Sequence, residues 1–457
     1  MTTASPDTPP RTPVDVMAVI DGARFSRYQW QVVALCLLVG LIDGFENGVI
    51  AYVAPALTAE LGIGLPAMGN IFAAGTVGMG LGSLLLGVVA DRWGRKRAVV
   101  LSVAVFGVAA LAAAASTSLF ELMVCRFVAG IAIGGAQPVM VALLAEYAPA
   151  RHRSTAMIVG FLGVGIGVPI SALLTAWLAP LHGWQAVFIV GGVVPLLVLP
   201  WLAWVYPESI RFLASGGPRN NGAVARTLNR IVGEVRYRPS DHFVLTEPPA
   251  PRASGRELLA PRYRRTTLAI WGVYFFNWIT WYLFLLWLPT ALTHAGLDIA
   301  RASQIGALLG VTALLTFPPA AVVIQRVGAA RCMVWLFAGG TLMSGALAAA
   351  GTHWGVVAAL VVAFTVCGVI PQVALNYLCV ELYPTPIRAT GVGWAITAGR
   401  VGSVLGALLG GGLIAGWGLS GYFLTLAGPL AVAGVLTWAC IGPTAGARPR
   451  PSALPRA

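Results

Sequence analysis

Long apolar runs alternate with short polar breaks along almost the whole chain, at residues 29–54, 66–90, 98–116, 121–147, 155–180, 185–206, 266–290, 302–324, 332–350, 354–382, 389–415 and 420–441. Each is long enough to carry the roughly 20 residues that an α-helix needs to cross a bilayer. Only a helix or a closed barrel satisfies its own backbone hydrogen bonds away from water, so runs of this length predict membrane-spanning helices. The alternation lapses once, over residues 207–265, where a polar stretch with eleven arginines separates six spans from six more. The expected organisation is an arm (1–28), a six-helix bundle (29–206), a linker (207–265) with a short helix near residues 222–235, a second bundle (266–441) and a tail (442–457). The fold class that follows is an all-α integral membrane protein of twelve transmembrane helices in two related bundles.

Composition sharpens this. With 58% hydrophobic and only 10% charged residues, and a mean hydropathy of +0.82, the chain lacks the polar cover of a soluble protein, in which about a quarter of residues are charged. Threading the spans alternately puts 26 of the 29 cations in the arm, the tail or the loops of one side, and only Arg301 on the other. That side is expected to be cytoplasmic, with both termini there. The net charge of +13 is then a topological signal, which argues against a nucleic-acid partner. No cleavage pattern follows the first span, so it is expected to remain. The strong preference for arginine over lysine, of which Lys96 is the single example, points to a GC-rich genome and a bacterial inner membrane.

Several chemistries find no support. The six cysteines (Cys36, Cys125, Cys332, Cys367, Cys379, Cys440) lie in or beside apolar runs without CxxC spacing, and the five histidines fall in loops or at span ends. We expect no metal and no cofactor. The lysine is followed by Arg97 rather than Ser or Thr, so no phosphate-binding loop is present and ATP-driven transport by this chain is excluded. An enzyme is not expected.

The two halves share sequence. AEYAPARHRSTA (145–156) aligns without a gap with VELYPTPIRATG (380–391), matching Glu146 to Glu381, Pro149 to Pro384, Arg153 to Arg388 and Thr155 to Thr390. DRWGRKR (91–97) aligns in nearly the same register with QRVGAAR (325–331). Parallel repeats of this kind belong to carriers that rock one half against the other about a midplane site.

The string Gly87-x-x-x-Asp91-Arg92-x-Gly94-Arg95-Lys96-Arg97 resembles the signature loop of the major facilitator superfamily. A narrower resemblance, carried by LIDGFENGVIAYVAPAL, RFVAGIAIGGAQP, PESIRFL and YPTPIRATGVGW with GRVGSVLG, is to the aromatic acid:proton symporter family. The resemblance implies proton-coupled import of a small aromatic carboxylate such as a hydroxybenzoate or protocatechuate. It also implies a gating role for Gly87, Asp91, Arg92, Gly94, Arg95 and Arg97, with Asp91 pairing to cations at a neighbouring helix end in one conformation. We extend that role to the repeat-matched Glu146, Arg153, Glu381 and Arg388. The chain departs from the family where Glu46 stands for a second aspartate, and where Gln137 and Val139 stand at positions often occupied by Met and Asn.

Four charges lie deep inside spans, away from their ends. Asp43 is about 20 Å into the first helix and Glu46 one turn further on nearly the same face. An ionisable group at that depth costs roughly 2.5–3.5 kcal/mol on insertion scales and is by default a functional candidate. Burial and mutual repulsion favour the neutral form of a carboxyl, so the pair is a candidate for proton coupling, with helix capping or a buried hydrogen bond as the alternative. Arg126, ahead of the small-residue positions Gly130, Gly134 and Gly135, resembles the superfamily's fourth-helix arginine and is expected to pair with Glu46 or Asp43, unless it reaches to the outer headgroups. Arg400 lies about 18 Å into the eleventh helix, too deep to reach water. Its planar fork suits a carboxylate, so we expect it to hold the substrate's anionic head, the alternative being a permanent structural ion pair.

In the seventh span, Tyr274, Trp278 and Trp281 are spaced to form one face against an aromatic ring, with Asn277 beside them. Gln137, Gln372 and Asn376 are candidates for polar substrate contacts; interhelical packing competes with binding at all of these. Two other functions remain open at this stage. A proton-driven exporter of the same fold is disfavoured by the absence of GPxxGG in the fifth span, and a sensor on the carrier fold by the lack of a signalling segment. The expected partners are an aromatic acid, protons and lipid, with the chain acting as a monomer.

Overall fold

A computed structural model of the protein describes residues 13–246 and 255–441; arm residues 1–12, linker residues 247–254 and the tail 442–457 lie outside them. Strand β1 (Val14–Asp15) leads into α1 (Val16–Gly22), and the spans begin with α2 (Arg27–Glu60). There follow α3 (Leu65–Trp93), α4 (Arg95–Ala114), α5 (Leu119–Tyr147) and α6 (Arg153–Val205), then the short α7 (Ile210–Ser215), α8 (Asn221–Val232) and strand β2 (Phe243–Val244). The second half holds α9 (Arg264–His294), α10 (Ile299–Val327), α11 (Ala329–Ala349), α12 (Trp354–Leu382), α13 (Thr385–Thr425) and α14 (Ala427–Leu436), which runs into a π-helical turn at Thr437–Ile441.

Among the described residues, ten helical stretches are long and apolar enough to cross a membrane. Two of them, Ala150–Val205 and Thr390–Cys440, are of double length at 56 and 51 residues. Each breaks at a glycine of positive φ, Gly183 (76°) and Gly418 (62°), so the ten stretches make twelve crossings. The breaks fall in the short gaps, 181–184 and 416–419, that separate the predicted spans.

The internal repeat is built into the turns. Gly62 and Gly296, Gly94 and Gly328, and Gly183 and Gly418 all have positive φ, at offsets of 234, 234 and 235 residues, the register of the sequence repeat. Elsewhere the chain starts its helices with side-chain caps: Ser26 and Gln29 form a reciprocal capping box on α2, and Ser118 and Asp298 cap α5 and α10.

Within each half, small residues let backbones meet. A Cβ on Gly44 would run into the Val164 carbonyl, on Gly134 into that of Met79, and on Gly402 into that of Phe275. These joints lock α2 to α6, α5 to α3 and α13 to α9, in the manner of small-residue interfaces in lipid.

The arm and linker pack together. Val14 and Asp15 pair in parallel with Phe243 and Val244. Val16, Met17 and Ile20 of α1 are buried with Val224, Ala225, Leu228 and Ile231 of α8, in one core with α2, α4, α5 and α6. A 3.6-residue apolar stripe inside an otherwise polar segment is the reason: α8 cannot leave it in water.

The halves meet at the end away from the linker. Tyr52 donates to the Gly306 carbonyl at 3.2 Å. Phe72 meets Trp287 edge-to-face at 4.9 Å between ring centres, and a Cβ on Gly310 would lie 2.7 Å from Pro169. Trp287 is in turn held to its own half by a 2.9 Å hydrogen bond from Nε1 to the Ala407 carbonyl.

Candidate functional site

Helix α2 sets Asp43 and Glu46 into the middle of the protein, 6% and 0% exposed. Arg126 of α5 pairs through Nη1 with Glu46 Oε1, and its guanidinium lies 5.8 Å from the centre of the Phe188 ring. The second Glu46 oxygen is buried with no hydrogen-bond partner. Asp43 is differently placed. Asn47 donates to its carbonyl at 3.1 Å and to Oδ1 at 3.4 Å, and the charges of Arg400 and Glu46 both act on it. Of the two carboxylates, then, Glu46 has its cation within its own half, whereas Asp43 forms no ion pair among the described residues. A cavity of about 30 Å³, with room for about one water molecule, is lined by Asn47, Thr76, Arg126 and Tyr282 and joins the two halves.

In the second half, α9, α12 and α13 build a polar aromatic cluster. Tyr274 donates to Asn376 Oδ1 at 3.0 Å, and Trp278 Nε1 donates to Gln372 Oε1 at 3.0 Å. Trp278 stacks on Tyr282 at 5.9 Å and 23°, and the Arg400 guanidinium lies 5.2 Å from the centre of its indole. The indole reaches α13 because Gly399 offers no Cβ; one placed there would be 2.9 Å from the ring. Arg400 Nη1 is buried without a hydrogen-bond partner, while Gln372 is half-buried and Asn376 exposed.

The predicted face of α9 needs correcting. Asn277 and Trp281 do not join Tyr274 and Trp278; they line a separate small cavity with Thr280, Phe364, Gly368 and Leu430, inside the second half. The stripe that the structure forms is Tyr274, Trp278 and Tyr282, spaced by four. At 100° per residue, positions 277 and 281 trail this stripe on one side and position 282 leads it on the other. Gln137 is half-buried on α5 and enters neither cluster's hydrogen bonds.

The gating residues form a third group at the linker end. Gly94, at φ 97°, ends α3 and starts α4, and the Glu208 carboxylate sits so close that a Cβ on Gly94 would collide with it. Glu208 accepts from the Arg95, Lys96 and Ser209 amides at 2.6, 3.3 and 2.8 Å. A carboxylate on the first amides of α4 meets both unpaired donors and the positive end of the helix dipole. Arg95 bridges to Asp91 at 3.2 Å and approaches Glu146 at 3.8 Å, and Glu146 also accepts from Ser209. Asp91 is thus tied to its own turn, and the carboxylate that grips a neighbouring helix end is Glu208. The sequence reading missed it, although it stands in the PESIRFL string. Gly87 has open space around it, and Arg92 and Arg97 project outward.

Arg153 approaches Asp21 of α1 at 3.7 Å, and the same carboxylate accepts from the Ala150 amide at 2.7 Å. The repeat is not symmetric here. Glu146 is buried and Glu381 exposed, Arg388 donates to the Tyr383 carbonyl at 3.3 Å, and the turn glycine Gly328 has no neighbour within 4 Å of its Cβ direction.

The comparisons with known proteins agree with one another. The sequence model described as Major Facilitator Superfamily matches residues 36–298 and 270–457. A gallate transporter of Pseudomonas putida is 37% identical over 424 residues, spanning 92% of this chain and 94% of its own. The 4-hydroxybenzoate transporter PcaK of Pseudomonas aeruginosa is 33% identical over 437 residues, 94% and 96% of the two chains. Among solved structures, the xylose transporter XylE from E. coli in a partially occluded inward open conformation superposes with a TM-score of 0.70 at 16% identity, over 91% of this chain and 98% of that one, a likeness of fold.

Proposed function

Because the chain belongs to the Major Facilitator Superfamily, we propose that it carries a small aromatic carboxylate inward across a bacterial inner membrane together with protons. The gallate and 4-hydroxybenzoate named for its relatives each pair a carboxylate with a hydroxylated ring. The observation that carries the reading here is Arg400, a mid-membrane cation over an indole with a buried Nη1 lacking a partner. A guanidinium with a buried, unpartnered Nη1 favours an anion with planar, two-oxygen geometry, and Trp278 and Tyr282 offer rings to pack against.

Proton coupling follows from competition. An ionised Asp43, in the half opposite Arg400, competes electrostatically with the substrate for that cation. Protonating Asp43 frees Arg400 for the substrate carboxylate, and substrate on Arg400 in turn releases Asp43 from its cation. Glu46, already held by Arg126, serves as the fixed member of the pair. With the linker end assigned to the cytoplasm by its arginines, the far-end contacts correspond to a carrier closed outside. Loading drives the exchange of conformations only through the difference in affinity between them.

The test is uptake of labelled benzoate, hydroxybenzoates, protocatechuate, gallate and non-aromatic acids into cells expressing the protein, with and without an uncoupler, beside Asp43→Asn and Arg400→Ala. Uncoupler-sensitive accumulation of an aromatic acid, lost in both variants, is expected. Accumulation indifferent to both variants overturns the assignment of the residues, and efflux from loaded cells overturns the direction.

A further inference from the structure

The Trp278 indole fixes the orientation of the Gln372 amide. An indole nitrogen only donates, so the atom of Gln372 facing it at 3.0 Å is the oxygen, and the amide NH2 points elsewhere. Asn376, one turn along α12, is occupied within the cluster: its oxygen takes the Tyr274 hydroxyl and its nitrogen gives to the Gln372 carbonyl at 3.2 Å. Gln372 keeps both of its amide N–H groups and Asn376 only one, so Gln372 is the fuller donor left to a ligand.

Arg400 addresses the same indole from another direction, over its face rather than off its nitrogen edge. The guanidinium and the Gln372 amide therefore meet the same indole at two different places, its face and its nitrogen edge. A benzoate hydroxylated at the meta or para position likewise carries two polar groups set apart by its ring. An ortho hydroxyl does not, because it lies beside the carboxylate.

We infer that Gln372 reads a meta or para ring hydroxyl of a substrate whose carboxylate is on Arg400, with Trp278 as the spacer that sets their separation. This rests on the aromatic acid reading above and adds its specificity. Benzoate in the same place leaves the Gln372 N–H groups facing carbon, and a site built to hydrogen-bond a hydroxyl discriminates against the analogue without one.

The experiment is competition by benzoate and by 2-, 3- and 4-hydroxybenzoate against uptake of whichever labelled aromatic acid accumulates best. It compares the wild type with Gln372→Met, which keeps length and loses the donors, and Trp278→Phe, which keeps a ring under Arg400 and releases the amide. The wild type is expected to prefer the 3- and 4-hydroxy acids over benzoate and 2-hydroxybenzoate by about tenfold or more, roughly one hydrogen bond. Gln372→Met is expected to bring the four within about threefold of each other, and Trp278→Phe to narrow the gap part of the way. Ratios within one variant do not depend on its abundance, and Trp278→Phe carries the test should Gln372→Met fail to reach the membrane. An unchanged ratio in the variants, or 2-hydroxybenzoate ranking with 4-hydroxybenzoate, overturns the inference while leaving the aromatic acid reading intact. A wild type that takes up no aromatic acid overturns both.

Discussion

The hydroxyl of Tyr52 donates to the carbonyl of Gly306 at 3.2 Å, a hydrogen bond that runs from one half of the protein to the other. Both groups are buried, and the ring lies so near Gly306 that a Cβ there would collide with it. Tyr52→Phe removes the bond and keeps the packing, at a cost of about 0.5–1.5 kcal/mol to the far-end-closed state. Spin labels at positions 61 and 295, at the far ends of α2 and α9, are expected to show a larger open population, by up to about tenfold. An unchanged distance distribution means that this contact does not hold the halves together.

Glu46 and Arg126 form a buried pair, so losing one partner is worse than losing both. Glu46→Gln or Arg126→Gln alone is expected to cost about 3–5 kcal/mol by stranding a charge, and the double variant less than either. Thermal unfolding in detergent across the four proteins measures this. Additive losses show that the two side chains act independently.

Trp278 and Trp281 separate binding from packing. Trp278→Ala removes the ring under Arg400 and is expected to raise the KM for the aromatic acid by about tenfold or more. Trp281→Ala empties a packed site against Gly368 and is expected to lower stability, by about 3–5 kcal/mol, with a smaller effect on KM. The reverse pattern returns Trp281 to the substrate face.

Glu208→Gln tests the linker-end clasp. It keeps an acceptor for the Arg95 amide and loses the charge that faces the start of α4, a change of about 0.3–2 kcal/mol. Gly94→Ala adds both a strained φ and a collision with Glu208, and is expected to be the more damaging in melting temperature and in transport.

The arm gives a pH-dependent marker outside the membrane. Asp15 accepts from the Met17 amide at 2.9 Å, and a hydrogen bond with Thr246, ahead of those to the α1 amides, holds its carboxyl below the usual range. Its contribution is therefore present above the ordinary aspartate range and is lost as pH falls through the lowered value. Hydrogen exchange in residues 14–22 is expected to speed up over that acid interval, and to be fast already at neutral pH in Asp15→Asn.

How much of this was legible in the sequence depends on how few alternatives the physics left. The spans and their twelvefold count were, because a bilayer admits only helices of a set length, and the gaps around Gly183 and Gly418 fell where each long apolar stretch exceeded one span. The meeting of Arg126 and Glu46 follows from the cost of an unpaired ion in lipid. The side of α9 that faces Arg400 was not legible, because aromatic residues surround that helix and only about 60° of arc separates Trp278 from Trp281. Glu208 was also out of reach. Its role depends on α4 beginning beside the end of α6, a tertiary fact, while its sequence context, a carboxylate after a proline, reads as ordinary loop. The docking of α1 on α8 was hidden for the opposite reason: four apolar positions in a segment crowded with arginines are outweighed in any average.

The lopsided linker end has a mechanical consequence. The first half is bolted there by Glu208, Glu146 and Asp21 and plated by α1 and α8, whereas at the corresponding Gly328 nothing lies within 4 Å of where a Cβ would sit. The first half is expected to behave as the stator of the pair and the second as the rotor. When the carrier changes sides, deformation gathers in the softer partner, and sequence drift is tolerated most readily on its exposed loops.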